Sequence, residues 1–269
     1  MPGHPVLLGL PYDASSSFMR GAADAPRYIR GAMRTSASNP WSERIVASVT
    51  PEVLEDAGDL DLPATAENRT IIEHAIRDLL AQDRRVIALG GDHSITYPIV
   101  RAMGKAFANL TILQIDAHPD LYDEFEGDRF SHACPFARIL EEGLAVRLVQ
   151  VGIRAMTAHG RDQAARFGVE QIDMRAWADG ARPGVEGKVY VSIDLDGLDP
   201  AFAPGVSHRE PGGLSVRDVL TMIDGLTGEL VGADIVEFNP KQDPLGLTAL
   251  VAAKFVKELV AKFLEDDRP

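Results

Sequence analysis

Three apolar segments of this chain each run straight into carboxylates or imidazoles, and few folds can accommodate that. In Gly187 to Pro200, GKVYVSIDLDGLDP, the β-branched and aromatic run Val189 to Ile193 predicts a buried strand ending on Asp194, Asp196 and Asp199. If the extended form persists, Asp194 and Asp196 share one side. Thr111 to Ile115 predicts a second strand entering Asp116-Ala117-His118-Pro119-Asp120, and Val86 to Leu89 a third entering Gly90-Gly91-Asp92-His93-Ser94. A solvated, Asp-rich turn would explain one such end. Three ends call for a cation, because desolvating unpaired anions costs too much. In an open α/β sheet the crevice lies beyond the carboxyl ends of the strands, so His93, Asp116, His118, Asp120, Asp194 and Asp196 can meet there.

The rest of the chain fits such a sheet. Strand patterns at Val6–Leu10, Arg147–Ile153, Val169–Ile172 and Leu230–Phe238 alternate with helical ones at Pro26–Met33, Asn68–Gln82, Tyr97–Phe107, Cys134–Glu142, Thr157–Phe167, Met174–Ala178, Val216–Leu226 and Leu247–Leu264. The stretch from Ser48 to Leu62 reads as an edge strand or loop. This alternation predicts a mostly parallel sheet with helices on both faces, and no linker divides residues 1–269 into separate domains. A net charge of −13 argues against nucleic acid and anionic membranes as partners. The single cysteine, Cys134, excludes an intrachain disulfide and a Cys-based zinc cluster, and is expected to be a small buried hydrophobe. With no leader-like N-terminus and no apolar run long enough for a membrane span, the expected location is the cytoplasm.

Four carboxylates and two imidazoles are too many for one structural zinc. Carboxylate with imidazole suits manganese ahead of iron, nickel or zinc, and two ions bridged by shared carboxylates fit the count better than one. Such a pair, roughly 3.5 Å apart, activates water for hydrolysis at carbon or phosphorus. The chain has no phosphate-cradling glycine loop, which favours carbon. Glu237, at another strand end, can take a cationic substrate group, and a guanidinium fork matches a carboxylate. A calcium-binding module is disfavoured, since calcium prefers an all-oxygen shell.

The ordered set GGDHS (Gly90–Ser94), DAHPD (Asp116–Asp120), SIDLDGLDP (Ser192–Pro200) and VEFNP (Val236–Pro240) resembles the ureohydrolases, arginase and agmatinase among them, over nearly the whole chain. The stretches from His118 to Gly143 and Asp199 to Ser215, with the C-terminal TALVAAKFVKELVAK, look most like plant-type arginases. The resemblance implies a three-layer αβα sandwich with about eight strands and two Mn²⁺ per subunit. His93, Asp116, Asp120 and Asp194 would hold one ion and Asp116, His118, Asp194 and Asp196 the other. It also implies proton transfer by Asp120, guanidinium binding by Glu237, a proton shuttle at His132 in FSHACPF, and a homo-oligomer, trimeric or hexameric.

The substrate is expected to be a small cationic guanidino compound: L-arginine first, agmatine as the alternative, then 4-guanidinobutyrate. The loop from Leu121 to Phe130 would read the far end, with Arg129 pairing an α-carboxylate and Asp128 or Glu126 an amine. His208 stands where related enzymes carry a small hydroxyl residue; it can contact the guanidinium, shape the pocket or pack the loop. Asp92 and Asp199 are expected to tie down loops rather than bind metal, and His4, His74 and His159 receive no role.

Overall fold

A computed structural model describes residues 3–36 and 38–265. The strands are β1 (His4–Gly9), β2 (Glu55–Asp59), β3 (Arg84–Leu89), β4 (Leu110–Ile115), β5 (Arg147–Val151), β6 (Glu170–Ile172), β7 (Lys188–Asp194) and β8 (Glu229–Val236). They form one sheet, ordered β2-β1-β3-β8-β7-β4-β5-β6, in which every neighbouring pair is parallel. The helices are α1 (Ala25–Met33), α2 (Glu67–Ala81), α3 (Thr96–Ala106), α4 (Pro135–Glu141), α5 (Ala158–Phe167), α6 (Met174–Ala178), α7 (Val216–Asp224) and α8 (Leu247–Glu265).

Side chains alternate across a pleated strand, so each buried strand feeds two cores. Leu113, Ile115, Val191 and Ile193 pack under α1, α6, α7 and α8. Leu110, Ile112 and Tyr190 pack under α2 to α5. This is the three-layer sandwich expected. Phe255, Leu259 and Phe263 of α8 lie wholly in the first core, so that apolar stripe faces the chain's own interior.

Two strands are shorter than their apolar runs suggest. β8 stops at Val236 because Glu237 turns to φ 63°, and β5 stops at Val151 because Gly152 turns to φ 99°. The edge strand β2 is acidic, and Arg30 of α1 holds it through Asp56 and the Gly58 carbonyl. Ser215 caps α7 in a reciprocal box with Asp218. Among the described residues, no helix is long and apolar enough to cross a membrane.

Gly91 sits where the β3 loop meets the β1 loop, and a Cβ there would lie 1.6 Å from the Tyr12 carbonyl oxygen. Gly91→Ala must therefore separate the two loops. It is expected to lose about 3 kcal/mol of stability, against about 1 kcal/mol for Ser215→Ala. Urea unfolding of both variants checks this; equal losses would contradict it.

Candidate metal centre

The three strand ends named above do converge. His93 opens a short turn after β3 and is fully buried. Its Nδ1 lies 3.2 Å from Asp116 Oδ2, 3.0 Å from Asp120 Oδ2 and 3.2 Å from Asp194 Oδ2, yet it makes no hydrogen bond among the described residues. Its Nε2 is 2.9 Å from Ser192 Oγ, and that hydroxyl donates to Asp234 at 2.7 Å. Ser192 can therefore only accept from Nε2–H, which turns Nδ1 toward the carboxylates. Asp234, buried within β8, also accepts from Tyr190 and Thr96 at 2.8 and 2.7 Å.

The β4 loop supplies the shared ligand. Asp116 Oδ1 accepts the His118 backbone N–H at 2.7 Å, and Oδ2 accepts from Gln114 Nε2 at 2.7 Å. His118 Nδ1 is 3.6 Å from Asp116 Oδ1 and 3.1 Å from Asp196 Oδ2. At the β7 end, the chain does not stay extended. It turns through Leu195–Gly197, with Asp194 Oδ1 accepting the Asp196 N–H at 2.8 Å. Asp196 Oδ1 takes the Ala117 N–H at 3.2 Å. Each of these two aspartates thus has one oxygen tied to backbone and the other aimed at an imidazole.

Two ligand sets result, His93/Asp116/Asp194 and Asp116/His118/Asp196, with the ligand atoms of each set within 4.8 Å of one another. This is a binuclear metal-binding site. The orphaned Nδ1 of His93 is the observation that fits it: a buried imidazole nitrogen aimed at three carboxylates, with no well-formed hydrogen bond among the described residues, marks a place where a cation would stand between them. Asp120 approaches the same His93 Nδ1, at 3.0 Å, from a left-handed backbone, φ 49°.

Electrostatics agree. Burial, with Asp196 and Asp116 close by, pushes Asp194 well above the carboxylate range. Burial and Asp116 raise Asp120 to about 6. For Asp116, burial is outweighed by the nearby His118 and His93 imidazoles, which hold it below the usual range. Burial opposes charge on His93 and His118, but the surrounding aspartates raise both well above the usual imidazole value.

A cavity of about 250 Å³ opens over Asp120, Asp194, Asp196 and Glu237. Glu237 Oε1 accepts the His93 N–H and meets His132 Nδ1, each at 2.9 Å, leaving Oε2 for a ligand. His132 Nε2 is 2.8 Å from Ser17 Oγ. Burial of His132 is outweighed by Glu237, which raises it to about 9. His208 also lines the cavity, its ring centroid 5.3 Å from that of His132 and 5.9 Å from that of His118.

The far-end readers expected at Asp128 and Arg129 do not reach this cavity. Glu126 and Gly127 turn left-handed, at φ 52° and 80°, and fold the loop tip back. Asp128 then caps the Phe130 N–H at 2.8 Å, and Arg129 pairs with Glu141 at 2.9 Å in solvent. Tyr122 and Phe125 face the cavity from that loop instead. Asp92 ties loops, accepting from Ser15 N at 3.0 Å and Ser94 N at 3.1 Å, and Asp199 does so through Ala201 N and Gly212 N at 2.9 and 2.6 Å. Cys134 is buried, its thiol pushed up to about 12 by desolvation and by Asp120.

Residues the motifs did not single out also matter. Arg154 donates to the carbonyls of Asp196 at 2.6 Å, Gly197 at 3.0 Å and Leu198 at 3.1 Å, clamping the β7 turn. Ser192, Asp234, Gln114 and Gln150 are polar side chains inside otherwise apolar, buried strands, and that anomaly is the signal that marks them.

The sequence pattern of the arginase family matches residues 4–261. "Arginase 1, mitochondrial" of Arabidopsis thaliana is 48% identical over 275 residues, covering 95% of this chain and 80% of that protein. An N(1)-aminopropylagmatine ureohydrolase of Thermus thermophilus is 38% identical over 248 residues, covering 87% of this chain and 82% of that protein. The solved structure of an arginase from Medicago truncatula superposes with a TM-score of 0.91 at 43% identity, covering 97% of this chain and 87% of that one. The expected cytoplasmic location does not stand: the Arabidopsis relative and a rice arginase 1 are both named as mitochondrial enzymes.

Metal must displace protons here. A proton on Asp120, lost near pH 6 in the metal-free protein, competes with an ion bound beside it, so affinity for a divalent cation is expected to rise as pH increases through 6, with proton release on binding. Calorimetry of the metal-stripped protein in buffers of different ionisation enthalpy measures both; a pH-independent affinity would contradict the assignment.

Proposed function

As the chain belongs to the arginase family, we propose that this metal-dependent hydrolase, acting as one domain, is an arginase that converts L-arginine and water to L-ornithine and urea with two Mn²⁺ per subunit. The observation that carries the proposal is the pair of ligand sets sharing Asp116, set directly beside the free oxygen of Glu237. His93, Asp116, Asp120 and Asp194 would hold one ion and Asp116, His118, Asp194 and Asp196 the other. When bound, the ions supply acidified water and positive charge for a developing anion. Glu237 anchors the guanidinium through charge-assisted hydrogen bonds. Asp120 takes the proton released as oxygen adds to the guanidinium carbon. His132, held by Glu237 and Ser17, delivers a proton to the amine nitrogen as the C–N bond breaks. His208 stands as a neutral wall of the guanidinium pocket, since burial keeps its pKa low.

Arginine over agmatine is supported by the arginase likeness and by the cavity mouth. Tyr122, Phe125, Ala133, Ala155 and Thr157 line the cavity with uncharged side chains, and the carboxylate beside them, Glu210, comes only within 3.9 Å of His118 Nε2. The Tyr122 and Thr157 hydroxyls, 3.4 Å apart, can hydrogen-bond both halves of an amino-acid head group. Agmatine is the second substrate and 4-guanidinobutyrate the third. A homo-oligomer, trimeric or hexameric, is part of the proposal; exposed Tyr28, Leu245 and Leu250 around one open groove support it.

Urea release from the Mn²⁺-loaded protein is expected to favour arginine over agmatine and guanidinobutyrate by more than about tenfold, roughly 1.4 kcal/mol. Agmatine favoured by that margin would overturn the arginase assignment. Glu237→Gln is expected to lower kcat/KM roughly 100-fold, about 2.7 kcal/mol. His132→Asn is expected to lower kcat by about 10²-fold or more with little change in KM. Steady-state kinetics on both variants separates the two roles.

A further inference from the structure

Gln114, Gln150 and Gln171 occupy matched positions on β4, β5 and β6. Gln171 Nε2 donates to Gln150 Oε1 at 2.7 Å, and Gln150 Nε2 donates to Gln114 Oε1 at 2.6 Å. Gln114 Nε2 then donates to Asp116 Oδ2 at 2.7 Å. Three amides thus form a line from the half-buried edge of the sheet to the carboxylate that both ligand sets share. The direction of the line is fixed by backbone. Gln150 Nε2 also donates to the Pro119 carbonyl at 2.6 Å, and Gln114 Nε2 to the His118 carbonyl at 3.2 Å. Flipping either amide would set oxygen against oxygen and leave buried groups unpaired.

We propose that this polarised amide ladder positions the bridging ligand, with Gln114 and Gln150 as positioning residues for metal binding. A neutral donor is what the place requires. A cation at position 114 would repel the ions, and an apolar residue would leave Asp116 Oδ2 without its amide donor, the carboxylate then held only through Oδ1 by the His118 N–H. The same amides pin the His118 and Pro119 carbonyls, so the loop carrying His118 and Asp120 is docked on the sheet before metal arrives. Each donor is polarised by the amide behind it. The inference rests on the metal-site assignment and not on the choice of substrate.

The test uses the full chain, stripped of metal and titrated with Mn²⁺ alone, with free Mn²⁺ read by its paramagnetic resonance signal. Substrate is absent, so a wrong substrate assignment cannot affect it. Gln114→Met, Gln150→Met and Gln171→Met keep side-chain length and remove the amide. Gln114→Met is expected to raise the half-saturating Mn²⁺ concentration roughly 10- to 100-fold. Gln150→Met, which touches no ligand, is expected to raise it by about threefold or more, and Gln171→Met by less than about twofold. Urea unfolding of the metal-free variants gives the packing cost separately. Unchanged Mn²⁺ affinity in Gln150→Met would overturn the proposal, and so would losses that follow metal-free stability rather than distance along the ladder. If Gln114→Met fails to fold, Gln150→Met decides alone.

Discussion

One electrostatic constraint governs the carboxyl edge of this sheet. Asp92, Asp116, Asp120, Asp194, Asp196, Asp234 and Glu237 are all buried there, and burial disfavours each charge. The protein answers in two ways. Asp92 and Asp234 are saturated by neutral donors from backbone and hydroxyls, and serve as fixed anchors. Asp194 and Asp196 are deliberately half-satisfied, one oxygen each committed to backbone. What separates a structural carboxylate from a metal-binding one here is not burial but the number of lone pairs left without a donor.

The same constraint explains where strain is tolerated. Asp120 and Glu237 adopt left-handed backbones that only glycine takes freely. Neither lies on the straight extension of its strand. A left-handed turn redirects each side chain into the cleft, and the surrounding hydrogen bonds hold it there. Arg154 plays the complementary part: satisfied by backbone carbonyls alone, it clamps the β7 turn from behind without competing for the aspartates. Attraction from Asp196 and Asp116 partly offsets its burial.

The strand ends were legible in the sequence because apolar runs stop abruptly on charge, a contrast that survives without any three-dimensional information. The layers were legible for the same reason, from the alternation of periods. Asp128 and Arg129 were not, because a loop tip is placed by backbone dihedrals at Glu126 and Gly127 rather than by pattern. Ser192, Asp234 and the glutamines were overlooked for the opposite reason. They interrupt strands so briefly that hydropathy absorbs them, and their meaning depends on pairing between strands that lie far apart in sequence. Location within the cell was not legible at all.

The strand order has a consequence for how the protein comes to exist. β8 is the last strand made, yet it lies between β3 and β7 and is the one that joins them. A growing chain that has not yet released Glu229–Val236 can build β2-β1-β3 and β7-β4-β5-β6 only as two separate half-sheets. His93 rides on the first, and Asp116, His118, Asp120, Asp194 and Asp196 ride on the second. On the ribosome, then, the second half-sheet already carries the Asp116/His118/Asp196 set, whereas the His93/Asp116/Asp194 set is completed only when β8 joins the halves, so the two sets mature in sequence.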